Sequence, residues 1–131
     1  MRFQYMIVFS FSVYSSVSFA EIPEGYRQVA SSPKGSIFYM APSDISNQSE
    51  YYPKIWVHEE ASGNKGVKYN FAKVLYVFDC RKKTMKFVDV IEYNSDGSVL
   101  NMFSNDTYAA PQNIVPDSIG EGIFVQACPN P

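Results

Sequence analysis

The sequence predicts an α+β fold, a small antiparallel β-sheet of about five to six strands with a C-terminal helix that a disulfide ties to the sheet. Three observations support this prediction. Aromatic residues make up 16% of the chain, and aromatic side chains favour pleated, half-buried strands. Turn-forming residues divide the chain into short apolar segments. The last segment instead has the spacing of an amphipathic helix.

Six segments have the length and composition of strands. They are residues 26–29, 36–40, 54–60, 69–80, 84–93 and 98–104. The longest, 69–80, is largely apolar on both faces at period 2, which is typical of a central strand covered on each side. Residues 43–48 form either a single helical turn or a loop.

The strand predicted at 84–93 is expected to alternate regularly from end to end. Its first face then carries Met85, Phe87, Asp89, Ile91 and Tyr93, and its second face carries Lys86, Val88, Val90 and Glu92. The turn that follows, residues 94–97, ends in Gly97, which accepts a positive φ without a Cβ penalty. This turn therefore predicts a hairpin into the next strand.

The segment that starts at Ser118 predicts a short C-terminal helix. Ser118 and Glu121 have the spacing of a capping box, in which the hydroxyl accepts from the third amide and the carboxylate reaches back. Ile119, Ile123 and Ala127 follow at helical spacing. The two glycines of the segment weaken the helix by about 1 kcal/mol each relative to alanine, so tertiary contacts must hold it.

The first 20 residues predict a cleaved signal peptide. Arg2 supplies a positive charge, residues 5–13 are densely apolar, and Ser18 and Ala20 stand at the −3 and −1 positions before Glu21. The alternative is an N-terminal membrane anchor, but the apolar stretch is well short of the roughly 20 residues that a bilayer requires. We expect export, no membrane span after cleavage, and one mature domain, residues 21–131.

Cys80 and Cys128 are the two cysteines of the chain. An even count in an exported protein predicts a disulfide. The loop it would close holds 47 residues (81–127), for which the chain-entropy model gives roughly 4 kcal/mol of stabilisation. A redox site of the C-x-x-C type needs two close cysteines, which the sequence lacks.

The residues that catalysis would need do not occur together in the sequence. His58 is the single histidine, and no G-x-S-x-G or phosphate-binding glycine loop is present. Glu59 and Glu60 alternate in direction along a strand, so they cannot converge with His58 on one metal ion. We interpret His58 as a surface or half-buried strand residue, and expect no catalytic, cofactor-binding or metal-binding residues. Three other acidic residues are interpreted as solvated: Asp79, Asp89 and Glu92.

A local positive charge is the feature with functional potential. The mature domain carries 10 basic and 13 acidic side chains, a net charge of −3, which does not suggest nucleic acid. Four of the cations nevertheless fall within six residues: Arg81, Lys82, Lys83 and Lys86. Such a turn can dock acidic segments of a partner or a sulfated glycan, and the alternative is a hairpin tip kept soluble by charge. Tyr51 and Tyr52 either add contact area or cover a sheet face.

Several fragments of the sequence resemble one known family. They are Tyr76-Val77-Phe78-Asp79-Cys80-Arg81, Gly97-Ser98-Val99, Pro116-Asp117-Ser118-Ile119-Gly120-Glu121 and Val125-Gln126-Ala127-Cys128, with Lys54-Ile55-Trp56-Val57 and the strand from Gly35 to Tyr39 before them. In this order and spacing they resemble the surface-adhesin protein E family over about residues 26–128.

The resemblance implies an exported protein of a Gram-negative bacterium with a small antiparallel sheet, helical packing and a Cys80–Cys128 disulfide. It also implies binding to host extracellular matrix or serum proteins and the formation of a homodimer. The sequence departs from the family's lipoprotein member because no lipobox Cys follows the signal, which favours a periplasmic or secreted location. Two alternatives stay open: a periplasmic inhibitor of an envelope enzyme such as lysozyme, and a structural envelope accessory protein.

Overall fold

The chain folds into one antiparallel sheet with a helix across one of its faces. This computed structural model describes residues 22–41, 51–104 and 110–128. Their strands are β1 (Arg27–Ser31), β2 (Ile37–Met40), β3 (Lys54–Glu60), β4 (Phe71–Asp79), β5 (Thr84–Tyr93), β6 (Val99–Ser104) and β7 (Gln112–Asn113), followed by helix α1 (Ile119–Ala127). The order across the sheet is β1-β2-β3-β4-β5-β6, and β7 pairs with β5 beyond the end of β6.

The predicted fold class is confirmed, and the six predicted strands correspond to β1–β6. Two of them, 54–60 and 84–93, match β3 and β5 residue for residue. The first strand begins one residue later and ends two residues later than predicted, at Arg27–Ser31. The short strand β7 was not predicted. The predicted helical turn or loop at 43–48 lies outside the described residues.

A bulge on β5 overturns the predicted alternation of that strand. Leu75 pairs with Asp89 while Tyr76 pairs with Phe87, so Val88 is an extra residue without a partner on β4. An extra residue exchanges the two faces for everything beyond it. Met85 and Phe87 therefore pack against the core under α1, whereas Asp89, Ile91 and Tyr93 lie on the opposite face with Leu75, Lys73 and Phe71.

The core lies between α1 and the face of β2–β5 beneath it. Its buried residues are Phe38, Met40, Ile55, Val57, Val74, Tyr76, Phe78, Cys80, Ile123, Phe124, Ala127 and Cys128. The predicted cap is present, because the Ser118 hydroxyl accepts from the Glu121 amide at 3.1 Å. The Glu121 carboxylate accepts from the amide of Asp117 at 3.3 Å, one residue earlier than a standard capping box.

Replacing Gly122 by alanine is expected to destabilise the protein, whereas replacing Gly120 is not. A Cβ on Gly122 would lie 2.8 Å from the carbonyl oxygen of Val29, a backbone atom of β1, so overpacking of about 1–3 kcal/mol opposes a helix-propensity gain of about 1 kcal/mol. A Cβ on Gly120 would clash only with the flexible end of the Met85 side chain, and its contact with the Ser118 hydroxyl would be an ordinary one at 3.5 Å. Urea unfolding of the two variants measures the difference, and equal stabilities would contradict this account of the helix–sheet contact.

Candidate functional site

Hydrogen bonds to the Asp79 side chain and to the segment at Ile114 hold the backbone of the basic turn, residues 81–83 between β4 and β5. Oδ1 of Asp79 accepts hydrogen bonds from the amides of Arg81 at 3.1 Å and Lys82 at 3.0 Å. Lys83 has a positive φ of 53°, and its carbonyl accepts from the amide of Ile114 at 3.0 Å. The turn is therefore anchored on both sides, and Asp79 holds its backbone in place.

The predicted disulfide lies directly behind this turn. Cys80 follows β4 and Cys128 follows α1, their Cα atoms are 5.6 Å apart, and the bond joins the sheet to the helix. Both cysteines are buried. The Cys80 amide also donates to the carbonyl of Tyr51 at 3.0 Å. Segment 51–53 is thereby held along the end of β4, next to the turn.

Three of the four predicted cations meet aromatic or apolar partners at this end of the sheet. The Arg81 guanidinium lies over the ring of Tyr51, 4.0 Å from its centroid. Lys82 and Lys86 line a groove of about 400 Å³ together with Tyr52, whose side chain is 66% exposed. The remaining lining residues are Val77, Phe78, Asp79, Thr84 and Pro111. We call this the basic groove. Lys83 is exposed on the turn and does not line it.

The basic groove has an excess of positive charge. Lys82 and Lys86 face one carboxylate in its lining, that of Asp79, and the amides of the turn already occupy one oxygen of that carboxylate. Within the described ranges, no ion pair involves either lysine. A groove with two available ammonium groups and a tyrosine ring at its rim is chemically suited to a carboxylate-rich or sulfated ligand.

His58 is buried, so its interpretation as a surface or half-buried residue is wrong. Its side chain is 7% exposed because aromatic rings surround it. The imidazole stacks on Phe71 at 5.4 Å, and the rings of Tyr26 and Tyr39 approach its edge at 6.5 and 6.3 Å. Nε2 of His58 lies 3.5 Å from Oε2 of Glu60, two residues along the same strand.

The carboxylates near the sheet have structural partners. Glu59 points away from His58, as expected, and accepts from the hydroxyls of Ser36 at 2.8 Å and Tyr69 at 2.9 Å. Two others accept from β6: Asp89 from the Ser104 hydroxyl at 2.8 Å and Glu92 from the Asn101 amide at 3.2 Å. Asp89 and Glu92, which were interpreted as solvated, make their bonds to β6 at exposed positions.

Two further kinds of feature are absent from the described ranges 22–41, 51–104 and 110–128. No group of three or more His, Cys, Asp or Glu side chains there is placed to hold a metal ion. No helix in those ranges is long and apolar enough to cross a membrane.

The stability of the protein is expected to fall as the pH is lowered from about 7 to 5.5. Burial lowers the pKa of His58, and the charge of Lys73 lowers it further. The Glu60 carboxylate raises this pKa but offsets the lowering only in part. Below about pH 6.5 the unfolded chain then binds a proton that the folded chain does not. His58 is the single histidine, so His58→Gln should flatten this pH dependence. Urea unfolding across the pH range measures it, and an unchanged slope in the variant would contradict it.

A second groove crosses the sheet face opposite α1 and was not predicted from the sequence. It has a volume of about 510 Å³ and is lined by Tyr26, Trp56, His58, Lys73, Ile91 and Tyr93 among others. The alternation of β3 does place Trp56 and His58 on one face. The bulge at Val88, however, is what brings Ile91 and Tyr93 to that same face. We call it the sheet-face groove.

With fold and grooves defined, the protein is a small disulfide-linked sheet-and-helix domain with ligand-sized grooves on its surface. The profile of the family described as surface-adhesin protein E matches residues 26–129, and the chain belongs to this family. The resemblance stated from the sequence is thereby confirmed. Searches of curated proteins and of solved structures gave no significant match.

Proposed function

We propose that the protein is an exported, non-catalytic binding module whose basic groove contacts an acidic segment of a partner protein. The observation that carries this proposal is the convergence of Lys82 and Lys86 beside the exposed ring of Tyr52. Tyrosine is enriched where proteins bind one another, and a cluster of lysine charges attracts an acidic segment electrostatically. Membership of a surface-adhesin family supports binding rather than catalysis.

The groove is organised before a partner arrives. Asp79 fixes the backbone at Arg81 and Lys82. Cys80, which directly precedes Arg81, is held against the end of the helix by its disulfide to Cys128. A surface that is already ordered loses less conformational entropy on binding. The lysine side chains themselves remain free to adapt, so the rigid turn positions the charges and their flexible stems accommodate the ligand.

The partner we propose is a host extracellular matrix or serum protein, in keeping with the family's description as a surface adhesin. The experiment is a pull-down from serum with immobilised protein and two charge-matched variants. Lys82→Glu with Lys86→Glu reverses the groove, whereas Lys34→Glu with Lys65→Glu reverses two exposed lysines outside it. A partner retained by the wild type and by the second variant but lost by the first supports the proposal. Retention by all three contradicts it.

Export by a signal peptide cleaved after Ala20 is part of the proposal. Residues 1–20 lie outside the described residues, so the support comes from the sequence pattern and from the surface-adhesin family. N-terminal sequencing of the protein from producing cells should give Glu21 as the first residue. Antibody access to intact cells would favour display at the surface, whereas release by osmotic shock would favour the periplasmic alternatives, an enzyme inhibitor or a structural accessory.

A homodimer through β6 is expected, because this strand ends the sheet without a partner among the described strands. All six of its residues are exposed, and Met102 and Phe103 are 66% and 54% exposed on opposite faces. Uncharged apolar edges pair readily. Light scattering should show that the wild type is a dimer. The variant Met102→Lys with Phe103→Lys should be a monomer with unchanged stability. A wild type that is monomeric at high concentration would contradict this.

A further inference from the structure

We propose that the sheet-face groove binds an anionic sugar, a pyranose ring that carries a carboxylate. This site is separate from the basic groove and does not depend on the proposed function. Its floor is a row of three residues aligned across neighbouring strands, His58 on β3, Lys73 on β4 and Ile91 on β5. Adjacent strands are about 4.8 Å apart, so the floor is about 10 Å long, comparable to one or two sugar rings.

Aromatic rings form the walls of the groove. Trp56 is 41% exposed although it lies in the middle of β3, a strand whose alternate residues Ile55 and Val57 are buried in the core. Tyr26 and Tyr93 line the groove with it. Flat rings of this kind offer an apolar face with negative charge density, which suits the C–H faces of a pyranose, and their polar groups are available to its hydroxyls.

Lys73 determines the charge that the ligand must carry. Its side chain is exposed and its Nζ lies 5.8 Å from the centroid of the Tyr93 ring, so the ammonium group stands at the aromatic wall. A neutral ligand that covered this group would leave a charge desolvated without a partner, which is costly. A carboxylate on the ligand supplies that partner. His58 is buried in the floor, and Lys73 is the one lysine or arginine among the residues that line the groove.

The backbone around the groove disfavours an extended peptide. β3, β4 and β5 pair with one another along the whole row, so their amide and carbonyl groups are already used in the ladder. An extended peptide obtains much of its affinity from main-chain hydrogen bonds at a free sheet edge. Here recognition depends on ring faces and a single charge. A ring-shaped anion fits those features, and a proline-rich segment, which also docks on aromatic rings, is the competing ligand for the test.

The test is a titration of the purified protein with glucuronic acid and with N-acetylneuraminic acid, followed by intrinsic fluorescence and by amide NMR shifts. Trp56 is the single tryptophan of the chain, so its emission reports directly on the groove. Both acids should shift the resonances of residues in the row, and the neutral sugar glucose should bind at least tenfold more weakly. Tighter binding of one acid than of the other shows whether the groove fits glucuronic acid or N-acetylneuraminic acid better.

Variants separate this site from the basic groove. Lys73→Gln is expected to weaken binding of the acids about tenfold, because it removes a charge-assisted hydrogen bond. Lys65→Gln removes an equal charge from an exposed loop and should change affinity less than about twofold. Trp56→Ala should abolish the NMR shifts, and thermal unfolding checks that each variant remains folded. Lys82→Glu with Lys86→Glu leaves this titration unchanged, even if the same variant loses a protein partner.

Three results would overturn the proposal. If glucose binds as tightly as the acids, Lys73 does not select for a carboxylate. A proline-rich peptide that shifts the same resonances while the acids do not would make the groove a peptide site. If neither acid at millimolar concentration shifts the amide resonances of the residues in the row, the groove does not bind a sugar.

Discussion

Removing the disulfide is expected to lower the free energy of unfolding by about 2–5 kcal/mol. The bond closes a long loop, because Cys80 and Cys128 are 48 positions apart in sequence. It also joins the end of β4 to the end of α1, and α1 is short and contains two glycines. Without the bond, the packing of Ile123 and Phe124 on the sheet would have to hold the helix alone.

The appropriate variant is the pair Cys80→Ala and Cys128→Ala. Both sulfurs are buried, with residues 4% and 1% exposed, so alanine avoids the buried hydroxyls that serine would add. Urea unfolding measures the loss, and reduced wild-type protein provides the control, since it should lose about as much. Thiol titration of the denatured protein without reductant should detect no thiol. Two reactive thiols would show that the bond does not form in the cell.

Reversing the two lysines of the basic groove is expected to slow association with an acidic partner about tenfold, because charges at an interface act mainly on the encounter rate. Lys82 is exposed and Lys86 is partly exposed, so Lys82→Glu with Lys86→Glu should change the free energy of unfolding by less than about 0.5 kcal/mol. Stopped-flow association with the partner retained in the pull-down measures the effect.

The matched control carries the same net charge change elsewhere. Lys34 lies in the turn between β1 and β2 and Lys65 lies in the loop between β3 and β4. Both positions are at the end of the sheet away from the basic turn. Lys34→Glu with Lys65→Glu should slow association less than about twofold, since charges beyond about 8 Å are largely screened at physiological ionic strength. If both variants slow association equally, the effect comes from the net charge of the protein and not from the basic groove.

Most of the fold could be predicted from the sequence because local patterns determine it. Alternation and turn residues located β3 and β5, and the spacing of Ser118 and Glu121 located the helix. The bulge at Val88 left no such signal, since the residues of β5 do not show which of them lacks a partner on the next strand. The faces of β5 were therefore predicted correctly only up to Phe87.

The functional surface was less predictable than the fold. The cluster of cations is visible in the sequence, but the groove also needs Tyr52 and Pro111, which tertiary contacts bring to the turn. Lys82 and Lys83 are neighbours in the predicted turn, and only the geometry of the turn shows that Lys82 lines the groove and Lys83 does not. The burial of His58 likewise depends on rings from other segments, Tyr26, Tyr39 and Phe71.

The salt dependence of association tests the central claim, that the basic groove binds an acidic partner, most directly. The measurement is the association rate of the wild type and the Lys82→Glu with Lys86→Glu variant with the retained partner, between about 50 and 500 mM salt. The wild-type rate is expected to fall steeply as salt rises, whereas the variant's rate is expected to be low at low salt and to rise as salt screens the repulsion between its two glutamates and the acidic partner. A wild-type rate that stays flat across the series would contradict it.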